Sequence, residues 1–368
     1  MHQISSDPNA TPNATSETAS KRRIVFVAGS GRSGTSTLSG ILKELGMRVP
    51  VPEVTPDETN PKGFGESQWV VDLHNRLLRQ ANVQVSDARP QAWFEAGRLA
   101  TNDNLRHEIS TWLDRQFGDA DELVVKDPRL SWFLGLWRVA AMRSGTEATF
   151  ATMLRPPTEV IGSKAKYYGR RGTVDGIAAW VNMMLHTERA TRGSKRVFVR
   201  YHDLLDDWTV PVNGLGEIFD IQAVKTATPS SILRVHEFVD PNLRRVQITW
   251  DSLSVPRQLQ ALAQDTWEQL NKLADPDGDN EKTHAELDVL LDEYTAFYED
   301  SEAIAASTAL ASLNQGRREG RRGARKRGGV PRYRRVANRI PHSLRAKIPA
   351  SARRRVGGVV RKVAGGSR

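Results

Sequence analysis

A run of seven residues near the start of the chain carries the first chemistry that can be read: Gly31-Arg32-Ser33-Gly34-Thr35-Ser36-Thr37. With Gly29 just before it, the run has the glycine spacing Gly29-x4-Gly34 and three hydroxyls directly behind. A turn of this kind aims backbone N–H groups inward, and a helix starting behind it adds partial positive charge, so it suits a phosphate or sulfate. A nucleotide hydrolase carries a lysine at the position of Thr35, reaching the β- and γ-phosphates. Here the cation lies inside the loop, at Arg32. Without the lysine the loop is poorly equipped for a triphosphate with Mg²⁺, and better suited to a donor with one bridged anionic group. The plain alternative is a Gly/Ser turn with no ligand.

Two further sets of residues could join it. Arg155 is followed eight residues later by Ser163. An arginine at a strand end can fork onto phosphate oxygens, and a serine in the next helix can close on the same anion. Taken singly, a surface ion pair and a helix-face hydroxyl are the plain readings of these two. Lys126-Asp127-Pro128-Arg129 offers two more cations, with an Asp127–Arg129 pair around Pro128 as the structural reading.

The elements that must position these groups follow from the apolar pattern. Short apolar runs at 23–28, 123–125, 148–154 and 196–201 read as buried parallel strands. Helical periodicity is predicted near 67–80, 104–117, 131–143, 157–168 and 174–190, and the chain after 210 is mainly helical, clearest at 256–273 and 283–310. Strands alternating with helices imply an α/β fold, a P-loop-type parallel β-sheet flanked by helices. Lys126 and Arg155 then fall at strand ends, the edge at which such sheets place ligands. The Pro-, Asp- and Gly-rich stretch 48–66 reads as a long functional loop.

Composition divides the chain. Its formal charge is +10, but residues 316–368 hold 19 Lys or Arg and one acid, Glu319, while the rest carries 34 bases and 42 acids. A mildly acidic body thus bears a strongly basic tail. The expected domains are a disordered N-terminal segment 1–20, a domain over 21–314 and a basic, partly amphipathic tail over 315–368. There is no cysteine, which excludes disulfides, thiolate zinc sites and a cysteine nucleophile, and fits a reducing compartment. No apolar run approaches the roughly 18–20 residues of a spanning helix, and no His/Asp/Glu cluster has metal-ligand spacing.

The loop resembles the 5′-phosphosulfate-binding loop of sulfotransferases that use 3′-phosphoadenosine-5′-phosphosulfate (PAPS), with Arg32, Ser33, Gly34, Thr35 and Ser36 matching the family's [KR]-S-G-T-[ST] run. The Arg155 and Ser163 spacing is similar to the pair that binds the donor's 3′-phosphate there. Asn60-Pro-Lys-Gly-Phe-Gly-Glu66, Lys126-Asp-Pro-Arg129 and Tyr201-His-Asp-Leu-Leu205 resemble segments of a bacterial, especially actinobacterial, branch. The likeness covers roughly 23–260. The R-K-G loop of eukaryotic cytosolic members is not evident, and Asn242-Leu-Arg-Arg245 is a weak stand-in.

The resemblance implies sulfuryl transfer from PAPS to a hydroxyl of a carbohydrate or glycolipid, with no metal. Such an in-line displacement needs a base for the acceptor and neutralised charge on the leaving phosphate. Arg32, Thr35 and the N–H groups of the turn fit the second role, with Gly31, Ser33, Gly34, Ser36, Thr37, Arg155 and Ser163 holding the donor. Lys126 is assigned to acceptor or sulfonate. Glu66, which ends the long loop, is the first choice of base; its other reading is a carboxylate at the start of the next helix. Glu53 is the second choice, with His74 and His202 behind. Trp69, Trp93, Phe94 and Trp132 are flat faces available for a sugar or for the core. A P-loop phosphotransferase, and a non-catalytic membrane- or nucleic-acid-docking protein, are the competing classes.

The tail interleaves its bases with Val336, Ile340, Leu344 and Ile348, then Val356, Val359, Val360 and Val363. Such a segment can lie on an anionic membrane at about 1 kcal/mol per base, or remain solvated. The expected location is cytoplasmic, and the membrane reading of the tail would make it peripheral on the inner face of the plasma membrane. Tyr333 is the tail's one aromatic, which offers little for base stacking and argues against nucleic acid.

Overall fold

The computed structural model describes residues 21–58, 60–168, 172–240 and 248–327. The N-terminal segment 1–20, the Asn242–Arg245 run and the tail from 328 onward lie outside the described residues. The chain divides into two units, residues 1–298 and 299–368.

The first unit is built on β1 (Arg23–Ala28), followed by α1 (Thr35–Leu45), α2 (Gln68–Ala81), α3 (Pro90–Gly97) and α4 (Asp103–Phe117). Then come β2 (Glu122–Lys126), a 3₁₀ turn (Pro128–Phe133), α5 (Leu134–Arg143), β3 (Ala148–Leu154), α6 (Pro157–Tyr168), α7 (Thr173–Thr191) and β4 (Arg196–Arg200). Six helices follow: α8 (Tyr201–Asp207), α9 (Thr209–Phe219), α10 (Gln222–Lys225), α11 (Pro229–Phe238), α12 (Arg257–Lys272) and α13 (Glu281–Arg327). Within the second unit the residues from 299 to 327 are helical, and the side chains of 299–319, Ile304, Leu310 and Leu313 among them, are exposed.

The four strands form one parallel sheet in the order β2-β1-β3-β4. Its strands are near-continuous apolar runs because both faces are covered. Successive side chains of β1 alternate between the faces. Ile24 and Phe26 pack with Leu73, Leu77, Leu113 and Trp137 on one side, whereas Val25 and Val27 pack with Leu38, Leu42, Leu204 and Val212 on the other. A third cluster joins Leu154, Val160, Trp180 and Leu185 to Leu259, Leu270, Leu287 and Tyr294 of α12 and the start of α13. With β1 central and its neighbours on either side, the carboxyl ends of β1, β2 and β3 meet at one edge.

Two local features differ from the sequence expectation. The segment from 131 to 143 is not one helix: Pro128 and the Asp127 cap start a 3₁₀ turn, and the α-helix begins only at Leu134. The fourth strand ends at Arg200, so Tyr201 opens a helix and not the end of a strand. The long loop 48–66 is held by short pairings, Arg48 with Leu123 and Glu53 with Ser67.

Candidate active site at the carboxyl edge of the sheet

Where β1 ends, the chain turns through Gly29 to Gly34 and enters α1 at Thr35. The turn needs backbone that most residues avoid: φ is +127° at Gly29 and +96° at Gly34. A Cβ at Gly34 would lie 2.2 Å from the ring of Tyr201, so the loop also needs glycine for close approach. Arg32 adopts φ +76° without being glycine, a conformation held only where surroundings impose it. Ser33 N–H donates to the Ser30 carbonyl at 3.1 Å and closes the turn. The first N–H groups of α1 are left for an anion by helix geometry.

Two partners explain the strain at Arg32. Its Nε donates to Ser163 Oγ at 3.1 Å, and its carbonyl accepts from Arg155 Nη1 at 3.1 Å. Arg155, buried at the end of β3, also donates from Nε to Glu159 at 3.0 Å and stacks its guanidinium 4.5 Å from the Tyr201 ring centre. His202 Nε2 meets the same Glu159 oxygen at 3.0 Å. Burial works against the Glu159 charge, but His202 and Arg155 outweigh it and hold the carboxyl below its ordinary range. Two of Arg155's N–H groups are thus spent on holding the loop and α6.

At the end of β2, Lys126 is 3% exposed. Its Nζ bonds Glu66 Oε1 and donates to Ser36 Oγ at 3.1 Å. Glu66 does not serve as a helix acid: α2 has Ser67 as its cap and no acid in its first turn, and the Glu66 carboxylate turns to Lys126. Its backbone is fixed by Val54 N–H donating to the Glu66 carbonyl at 2.8 Å. Burial pushes the Glu66 carboxyl above its ordinary range, with Lys126 the main opposing influence.

Asp127 accepts from Arg129 N–H at 2.7 Å and from its Nη1 at 2.9 Å, and lies 3.5 Å from His74 Nδ1. His74 Nε2 accepts the Trp137 indole N–H at 2.8 Å, which leaves the ring proton on Nδ1, facing Asp127. Burial opposes the Asp127 charge, yet His74 and Arg129 hold its carboxyl below the ordinary range. His74 is fully buried against Phe133 and Trp137, away from the cleft. Glu53 pairs with Lys43 at 2.5 Å on the outside of the loop.

The cleft between these groups measures about 530 Å³ and is lined by Gly31, Arg32, Gly34, Thr35, Ser36 and Thr37 of the loop, with Glu66, Lys126, Arg129 and Arg155. Neither Glu53, His74 nor His202 lines it. Ser33 is buried beneath the loop, and Ser163 reaches the site through Arg32. Residues 60–66 cover one side: Lys62 Nζ donates to the Glu237 and Phe238 carbonyls, and Ser39 Oγ donates to the Gly65 carbonyl at 3.1 Å.

None of the four aromatic residues that stood open between a sugar face and the core lines this cleft. Trp69 stacks on Trp112 at 4.4 Å, and Trp93, Phe94 and Trp132 line a separate groove with His186. The aromatic residues of the cleft are Phe64, Tyr201 and Phe238. Phe64 and Tyr201 belong to segments already singled out in the sequence, whereas Phe238 and Lys164 reach the site through packing that no local spacing announces.

Among the described residues no group of three His, Asp or Glu side chains could hold a metal, and no helix is long and apolar enough to cross a membrane. No family model matches the chain, and no curated protein matches it. Among solved structures, the sulfotransferase domain of the olefin synthase of Synechococcus PCC 7002 aligns with a TM-score of 0.41 at 17% identity, over 68% of this chain and 96% of that one. The sulfotransferase domain of the curacin biosynthetic pathway aligns with 0.36 at 12%, over 68% and 98%.

Proposed function

We propose that the protein transfers a sulfuryl group from PAPS to a hydroxyl of an acceptor, a carbohydrate or glycolipid. One observation carries this: Arg32 joins the phosphate-type loop to the Arg155–Ser163 pair. Two anion sites linked in this way, one at the start of α1 and one between β3 and α6, suit a nucleotide that is anionic at both its 5′ and 3′ ends. Thr35 at the lysine position counts against a triphosphate.

The donor, when bound, supplies the sulfuryl group; the remaining work falls to the chain. Arg32, the hydroxyls of Thr35 and Ser36 and the first N–H groups of α1 face the phosphate end and offset its growing charge. Glu66 accepts the proton of the acceptor hydroxyl, a role favoured by a carboxyl raised toward neutral pH. Lys126, between Glu66 and Ser36, orients the base and keeps it ionised enough to act. Residues 60–66 limit water on one side of the cleft.

The composition of residues 316–368 supports a place at the anionic inner face of a membrane. The reaction is tested by incubating the protein with PAPS carrying radiolabelled sulfate and a lipid and polysaccharide extract. Label should enter one fraction and be lost with Glu66→Gln. No label in any fraction, together with tight ATP binding, would overturn the proposal.

A further inference from the structure

One cation in the cleft belongs neither to the donor loop nor to the Glu66 pair. Lys164 follows Ser163 on α6. Ser163 turns to Arg32, and the next residue on an α-helix projects about 100° away. Lys164 accordingly reaches the segment between α2 and α3, where its Nζ donates to Ser86 Oγ at 3.2 Å. The adjoining Val85 carbonyl accepts the Trp132 indole N–H at 3.1 Å, which ties this segment to the 3₁₀ turn behind β2. Lys164, Val85, Ser86 and Met183 all line the cleft.

The charge of Lys164 is poorly matched. Its hydrogen-bond partner is a neutral hydroxyl, and burial pushes its amine down to about 8. Asp175 of α7 acts on it through space, but that carboxyl is itself raised, by burial and then by Asp87. A lysine with a purely structural role extends to water or pairs with a carboxylate. This one lines an open cleft beside apolar Val85 and Met183, where an incoming anion would complete its coordination.

We infer that Lys164 selects the acceptor by binding an anionic group, a carboxylate, phosphate or sulfate, that the acceptor carries in addition to its reacting hydroxyl. The inference rests on the sulfuryl-transfer reading of the same cleft and narrows it to acidic acceptors. Arg32 and Arg155 hold the donor at the ends of β1 and β3, and Lys164 holds the other reactant beside Ser86.

The test uses the full chain saturated with adenosine 3′,5′-bisphosphate, with 4-hydroxybenzoate and 4-hydroxybenzamide as matched anionic and neutral probes. Acetylation of Lys164 at neutral pH is followed by peptide mass spectrometry, with exposed Lys272 as the reference. An anion within about 4–6 Å raises a lysine by about one unit or more, and each unit cuts the reactive neutral amine about tenfold. The benzoate should slow labelling of Lys164 about tenfold and leave Lys272 unchanged, while the benzamide has no such effect. In fluorescence titrations Lys164→Gln should bind the two probes equally, and Lys164→Arg should keep the preference. Equal protection by both probes, no protection by the benzoate, or full protection by the bisphosphate alone would overturn the inference. Failure of the bisphosphate to bind is a separate result, which would instead remove the sulfuryl-transfer reading.

Discussion

Arg32 Nε lies 3.1 Å from Ser163 Oγ, a hydrogen bond between residues 131 apart in sequence. It joins the loop behind β1 to the helix behind β3, so the two elements proposed to hold the donor are fixed relative to one another. Arg155 repeats the connection from below through the Arg32 carbonyl. Pre-set spacing of this kind reduces the ordering cost of binding a ligand with two charged ends.

The link predicts coupled losses. Arg32→Ala should weaken adenosine 3′,5′-bisphosphate binding by roughly 10- to 100-fold, since a charged hydrogen bond contributes about 1.5–3 kcal/mol. Ser163→Ala should cost less, and the double variant should lose less than the two single effects combined, because both act through one contact. Calorimetric titration of the four proteins gives the cycle.

Glu66→Gln should lower turnover by about 10²–10⁴-fold while leaving bisphosphate affinity nearly unchanged, as expected for a group that acts on the acceptor proton. A parallel fall in affinity would make Glu66 a donor-site residue. The check is turnover beside a binding titration on the same preparation.

The pH behaviour of Glu66 has a defined sign. Its folded carboxyl is raised, chiefly by burial and against Lys126, so activity should rise with pH as the base ionises. Lys126→Met removes the main opposing influence and should move that rising limb to higher pH. The same shift acts on stability: its contribution is fully present below the unfolded Glu value and is lost as pH rises through the folded one. Glu66→Gln should therefore flatten the fall in stability over that window, read by thermal unfolding at a series of pH values.

Gly34→Ala places a methyl 2.2 Å from the Tyr201 ring at a backbone φ of +96°. It should destabilise the fold by about 1–3 kcal/mol and disorder the loop. Adding Tyr201→Leu relieves the collision but not the backbone strain, so the pair should recover only part of the lost melting temperature.

His74 should prove structural. His74→Ala leaves a cavity between Phe133 and Trp137 and strips Asp127 and the Trp137 N–H of their partner. Loss of about 2–5 kcal/mol is expected, in the range of large-to-small core changes, with the pH profile of the remaining activity unchanged. A stable protein with an altered profile would make it a base.

Much of the sheet was legible because β1 to β4 are buried on both faces and their sequences read as unbroken apolar runs. The phosphate-type loop was legible because Gly29 and Gly34 are demanded by the backbone itself. The partners of Glu66 were not: its position left a helix acid and a catalytic base equally open, and only the packing of the 52–54 and 66–68 backbone brings it to Lys126. Lys164 was silent for the same reason. A lysine on a helix reads as solvated, and its partner Ser86 lies 78 residues away in sequence. The tryptophans stayed open because flatness alone does not distinguish a sugar platform from a core layer such as Trp69 on Trp112.

The proposed reaction requires Arg32, Arg155 and Ser163 to form one site for a nucleotide charged at both its 3′ and 5′ ends. Calorimetric titration of the full chain with adenosine 3′,5′-bisphosphate, beside ATP with Mg²⁺, tests it most directly. Saturable bisphosphate binding that weakens in Arg32→Ala, with little or no binding of ATP, is the predicted result. Tight ATP binding with no uptake of the bisphosphate would contradict it.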